Sequence, residues 1–235
     1  MQIEVDGVHP DGREPRLIVF DWDGTLMDST ARIVSCLRAA TETLGETLCS
    51  SAEYRDIIGL GVVEATRRLF PQRAADHDFV EAFAQAYRSR YLNADSTPTP
   101  MYDGAIDLVR GLAERPDTLV AVATGKSRTG LDQALKTSGL QGVFFATATS
   151  SEHPSKPSPT MLEWLLEKSG VEPAAATMIG DSRYDIEMAV AAGVRAVGVT
   201  HGVHDAPTLM SAGAAEVFDD LGGVSRYIKA TFSRQ

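Results

Sequence analysis

The chain has 235 residues, 43% of them hydrophobic, and its 32 acidic against 22 basic side chains give a net charge of -10. That is enough apolar material for a full core, as one domain with a sizeable insertion or as two small domains. The acidic balance speaks against a nucleic-acid or anionic-membrane partner, either of which wants a basic face, and no apolar run reaches bilayer length.

Residues 1–16 carry the turn formers Asp6-Gly7, Pro10, Asp11-Gly12 and Pro15 and read as an N-terminal extension without assigned chemistry. Their polar character is unlike a signal peptide. With Cys36 and Cys49 lacking metal-type spacing, free thiols in a reducing, cytoplasmic setting are expected. Leu17-Ile18-Val19-Phe20 then reads as a strand buried on both faces. Thr30 to Leu44 places Ile33, Leu37, Ala40 and Leu44 at helical spacing before Gly45, and a further helix ends near Phe70. Asp76 to Tyr91 puts Phe79, Val80, Phe83, Tyr87 and Tyr91 on one helical face. No strand pattern occurs between Ser29 and Pro100, where Thr97-Pro98-Thr99-Pro100 forms a stiff, extended return.

From Met101 the pattern alternates. Strands are predicted at Thr118–Ala123, Val143–Ala146, Thr177–Ile179 and Arg195–Val199. Helices are predicted through Leu131 and Leu135, from Ser158-Pro159 to Gly170, over Ile186–Ala192, and after the charged turn Asp219-Asp220. Repeated strand–helix–strand units define an α/β chain with a doubly wound, Rossmann-like parallel sheet and an inserted all-helical segment. Ligands of such sheets bind outside the carboxyl ends of the strands.

At those ends stand the residues that carry chemistry. The first strand runs into Asp21 and Asp23, two like charges in a poorly solvated place, an arrangement a core avoids unless a cation or a reaction needs it. Thr124-Gly125-Lys126-Ser127 follows the second, with a hydroxyl and helix N-terminal N–H groups suited to phosphoryl oxygens. Lys156 stands directly before a proline-started helix. Asp181 ends a fourth strand, and Asp185 lies one turn further on, so both can face the same point. Taken singly, these are also an Asp-Gly turn, a Thr-Gly turn, a surface lysine and a capped helix. Together they make an oxygen-lined site of the kind a hard divalent ion requires.

In order, these segments resemble the four motifs of the haloacid dehalogenase superfamily, over about residues 16–235. The stretch Gly125 to Asp132 looks like its phosphoglycolate-phosphatase branch. The resemblance implies an α/β catalytic core over 17–28 and 101–235 with a C1-type helical cap over 29–100. It further implies a phosphatase for a small phosphorylated metabolite. Asp21 would be its nucleophile and Asp23 its general acid/base, while Thr124, Gly125 and Lys156 bind phosphate. Mg2+ would be held by Asp21, the carbonyl of Asp23, Asp181 and Asp185. Asp23 argues against the family's dehalogenases and phosphonatases, which lack an acid there. A sugar phosphomutase, or an idle phosphate- or partner-binding relative, stays open as an alternative.

The remaining features read as unremarkable. His201 and His204 border a pocket or solvent, Trp22 packs, and Arg67 and Arg68 face solvent, although they and the Gly59-Leu60 loop could meet substrate. Which metabolite is bound and which oligomer forms are not legible in the sequence.

Overall fold

The computed structural model describes residues 15–232, and the expected extension lies almost wholly outside them. The apolar run Leu17–Phe20 forms most of β1 (Arg16–Phe20), a central strand of a six-stranded parallel sheet. Successive residues of a strand face opposite ways. Ile18 and Phe20 therefore enter one core with Val120, Val122 and Val224, and Leu17 and Val19 enter another with Ala121, Ala123 and Met161. Burial on both faces explains why the run shows no polar alternation.

The other strands are β2 (Thr118–Thr124), β3 (Ala146–Thr149), β4 (Ala176–Gly180), β5 (Arg195–Val199) and β6 (Glu216–Phe218), in the order β3-β2-β1-β4-β5-β6. The chain winds to one side of β1 for β2 and β3 and to the other for β4 to β6. This opens a crevice at the carboxyl end of β1. Phe20 is level with Val122 on one neighbour and with Ile179 on the other, so the residues following β1, β2 and β4 converge there.

Among the described residues, the segment between β1 and β2 contains no strand. It forms α1 (Thr30–Thr43), α2 (Ser51–Asp56), α3 (Val62–Leu69) and α4 (His77–Ser89), followed by a wide helical turn at Arg90–Ala94 and then α5 (Ala105–Ala113). Local chemistry fixes the starts. Ser50 and Glu53 form a reciprocal capping box on α2, and the Asp76 side chain accepts from Phe79 N at the start of α4. The first four helices share a core of their own that includes Ile33, Leu37, Tyr54 and Phe83. The Phe70 ring stands 5.5 Å from Phe79 and 5.4 Å from Phe83. The segments entering and leaving this block run side by side, with Asp28 N donating to Pro100 O at 2.8 Å and Met27 bridged to Met101.

Around the sheet lie α6 (Arg128–Ser138), α7 (Thr160–Ser169), α8 (Arg183–Ala191), α9 (Ala206–Ser211) and α10 (Leu221–Phe232). Several elements differ from the sequence reading. The strand expected over Val143–Ala146 begins only at Ala146, because Val143 and Phe144 lie in the preceding turn and pack sideways on the core, Phe144 edge-on to Trp22 at 6.2 Å. The helix expected from Ile186 starts at Arg183, where Ser182 and Asp185 cap it. The edge strand β6 has only three residues, too few to show a period.

Phe83 is fully buried at the centre of the helical block. Phe83→Ala is expected to cost about 3–5 kcal/mol in a denaturant titration, the usual range for emptying such a site.

Candidate active site

Asp21 is the first residue after β1, and its N–H donates to Ile179 O at 2.9 Å, which fixes it beside β4. Each of Asp21, Asp181 and Asp185 offers a carboxylate oxygen, these oxygens lie within 4.8 Å of one another, and all three residues are buried. The fully buried Lys156 reaches between two of them, its Nζ 2.7 Å from Asp21 Oδ1 and 2.5 Å from Asp185 Oδ1. Asp181 is oriented by donors on both oxygens, Thr25 Oγ1 at 2.7 Å and Val203 N at 2.9 Å. Asp185 has Oδ2 taken by the Ser182 N–H and hydroxyl, leaving Oδ1 toward Lys156. Close packing requires two glycines: a Cβ at Gly24, which has a φ of +87°, or at Gly202 would run into the Asp181 carboxylate.

Burial dominates the electrostatics. Loss of solvent, reinforced by Asp185 and Asp23, pushes the Asp21 carboxyl up to about 7 against the pull of Lys156. Asp181 is raised well above the ordinary carboxylate range by burial and then by Asp21 and Asp185. For Lys156, burial opposes the charge, but Asp185 and Asp21 outweigh it and hold the ammonium above its ordinary value. One ammonium thus faces a cluster of three carboxyl groups. Apart from the Lys156 ammonium, no donor among the described residues reaches either Asp21 oxygen or Asp185 Oδ1. Buried oxygens so short of donors, gathered at one point, fit a hard cation with oxygen ligands.

Asp23 is positioned differently. Its side chain lies outside the carboxylate cluster and is held by Ser29 Oγ at 2.6 Å and by Lys126 Nζ, which spans both oxygens at 2.7 and 2.9 Å. Lys126 also donates to the Tyr91 hydroxyl at 3.0 Å, linking the loop after β2 to the helical block. Burial disfavours its charge, yet Asp23 and Tyr91 keep it above its ordinary value. Thr124 is buried, and its hydroxyl accepts from Lys126 N at 3.2 Å. A cavity of about 580 Å³ opens onto Asp21, Asp23, Thr124, Gly125 and Lys156, roofed by the helical block.

All seven residues singled out in the sequence therefore meet at one crevice. Asp23 contributes to the carboxylate cluster at most through its backbone. Neither His201 nor His204 belongs to a metal-type cluster among the described residues: His201 Nε2 lies 3.0 Å from Thr25 O, and His204 Nδ1 accepts from Arg183 N. Arg67 is half-buried in the cavity wall near Glu64, at 3.8 Å, and so departs from the solvent-facing reading, while the exposed Arg68 lies over the Tyr184 ring. Trp22 packs in the core as expected. Sequence reasoning passed over Lys126, Ser29, Thr25 and Tyr91. The one available signal was Lys126 itself, a cation at a strand exit next to Thr124-Gly125.

Paired acids at the end of a central parallel strand, a buried lysine and a covering helical block define an α/β protein with a site built on carboxylates. The sequence profile described as haloacid dehalogenase-like hydrolase matches residues 18–199. The chain belongs to that family. It is 32% identical to a phosphoglycolate phosphatase of Neisseria meningitidis over 83% of each chain. It is 28% identical to a phosphoglycolate phosphatase of Pseudomonas putida over 89% of this chain and 78% of that one. A crystal structure of a hydrolase from Pseudomonas syringae superposes with a TM-score of 0.83 at 22% identity, over 92% of this chain and 98% of that one.

The raised Asp21 and Asp181 give a pH dependence. A carboxyl whose folded pKa exceeds its unfolded value stabilises the metal-free fold below the ordinary carboxylate range, and that stability is lost as pH rises through about 7 for Asp21. A cation held by the cluster would bind the ionised form and reverse the loss. The rise in Tm on adding Mg2+ is therefore expected to be larger at pH 8 than at pH 5 in thermal unfolding.

Proposed function

We propose that this hydrolase is a phosphatase that cleaves small phosphomonoesters through an aspartyl-phosphate on Asp21. The observation that carries the reading is the buried Asp21 carboxylate, open to the cavity and with the Lys156 ammonium as its one side-chain partner among the described residues. Asp21 attacks phosphorus and Asp23 protonates the departing alkoxide oxygen. Asp23 then takes a proton from the water that hydrolyses the acyl phosphate. Thr124, the Gly125 backbone and Lys156 hold the phosphoryl oxygens and offset their growing charge. Asp21, the Asp23 carbonyl, Asp181 and Asp185 would hold Mg2+, which when bound supplies the positive field the acids and phosphate need. The helical segment 29–100 acts as a lid on the core formed by 17–28 and 101–235, keeping bulk water from the reacting centre.

The substrate is a small phosphorylated metabolite, and the names of the relatives put phosphoglycolate first on the panel to be tried. Phosphate release from that panel is expected to need Mg2+, to stop with chelator, and to vanish in Asp21→Asn. Asp23→Asn should lose on the order of a hundredfold or more, as acid/base residues do. Isomerisation of a sugar phosphate without net release would instead make the chain a mutase.

Lys126 orients Asp23 in this scheme. Lys126→Met is expected to lower kcat/KM for alkyl phosphates, whose leaving groups need a proton, by about tenfold or more. For p-nitrophenyl phosphate, whose leaving group needs none, the loss should be much smaller. Equal losses for both esters would place Lys126 in folding or phosphate binding instead.

A further inference from the structure

Resting on the phosphatase reading, we infer that the alcohol half of the substrate carries an apolar body considerably larger than a two-carbon acid. The first observation is that the helical block sits down on the core. Gly61 N donates to Ser155 Oγ at 2.7 Å, and the Gly59-Leu60 backbone packs so closely on Gly125 that a Cβ there would stand 2.5 Å from Leu60 O. Tyr91 meets Lys126 at one side, and on the other Asp56 meets Arg183 at 3.1 Å and the Tyr184 hydroxyl at 2.9 Å. With the roof so placed, about 580 Å³ still remains, within the range of pockets that enclose drug-sized ligands. A glycolate moiety would leave most of it empty.

The second observation is the lining. On the roof side the walls include Leu37, Ile57, Leu60, Val63, Tyr87 and Leu92, whereas Ser150, Ser155 and His153 line the core side. The six roof residues gain by covering apolar atoms and offer little to a carboxylate.

The third is the charge balance around the ester. A carboxylate on the carbon next to the ester oxygen would lie close to Asp23 and would need a cation of its own. Lys156 is taken by Asp21 and Asp185, Lys126 by both oxygens of Asp23, and Arg67 stands against Glu64. Drawing Lys126 away would strip Asp23 of its partner and set two carboxylates side by side. Arg88 is the lining cation without an acidic partner among the described residues. It stands in the roof three residues before Tyr91, away from the ester-binding acids in sequence.

Two measurements on the Mg2+-loaded wild-type protein test this. Hydrolysis of 2-phenylethyl phosphate is compared with that of phosphoglycolate, both esters of primary alcohols. Binding of the non-hydrolysable 3-phenylpropylphosphonate is compared by calorimetry with that of 3-phosphonopropionate. The phenyl compound of each pair is expected to be favoured at least tenfold, in kcat/KM and in Kd. Val63→Phe, which fills the wall, should then lower kcat/KM for the phenyl ester about tenfold relative to ethyl phosphate. Preference for phosphoglycolate and for 3-phosphonopropionate would overturn the inference while leaving the phosphatase intact. Tight binding of the phenyl phosphonate with no ester hydrolysed would support the apolar pocket and sink the phosphatase reading instead.

Discussion

The arrangement turns on buried negative charge that the fold cannot neutralise alone. Asp21, Asp181 and Asp185 converge with their oxygens within 4.8 Å and without solvent, and Lys156 is the ammonium set among them. Unpaired buried charge is among the most costly things a fold can carry. Here it is tolerated because backbone and hydroxyl donors hold Asp181 and Asp185 in place, while Asp21 is held only by its own backbone and by Lys156. What remains unsatisfied is what the proposed cation and phosphoryl group would take up.

That constraint propagates outward. Gly24 and Gly202 lack a Cβ because any side chain there would displace Asp181, and Gly180 because it would displace Asp185. The loop through Gly59 and Gly61 lies against the core for the same steric reason, so along that loop the helical block touches the strand ends. The block's own aromatic core keeps that roof stiff, and Tyr184, from the helix that carries Asp185, extends into it.

Asp23 shows how position separates two neighbouring acids. It stands two residues from Asp21, yet it points toward Lys126, Ser29 and, through Lys126, Tyr91 rather than toward the carboxylate cluster. Two acids of the same type thus acquire different partners, as the proposed nucleophile and proton donor would need. Lys126 and Lys156 are both engaged by these acids, and the roof of the cavity above them is chiefly apolar.

The parallel sheet, the helical insertion and the strand-end acids were legible in the sequence because each follows from local pattern. A short apolar run bounded by acids and a glycine reads as an inner strand, and acids placed after it then lie at its carboxyl end. Where the pattern was ambiguous it misled: Val143-Phe144-Phe145 is as apolar as a strand but fills a turn against Trp22, a choice made by the space beside the core. The partners of the acids were decided only by the tertiary structure. Lys126 and Asp23 are 103 residues apart and Thr25 and Asp181 are 156 apart, and no local period reports such pairs. The size and lining of the cavity belong to the same class, since they arise where the helical block meets the sheet and are written in neither alone.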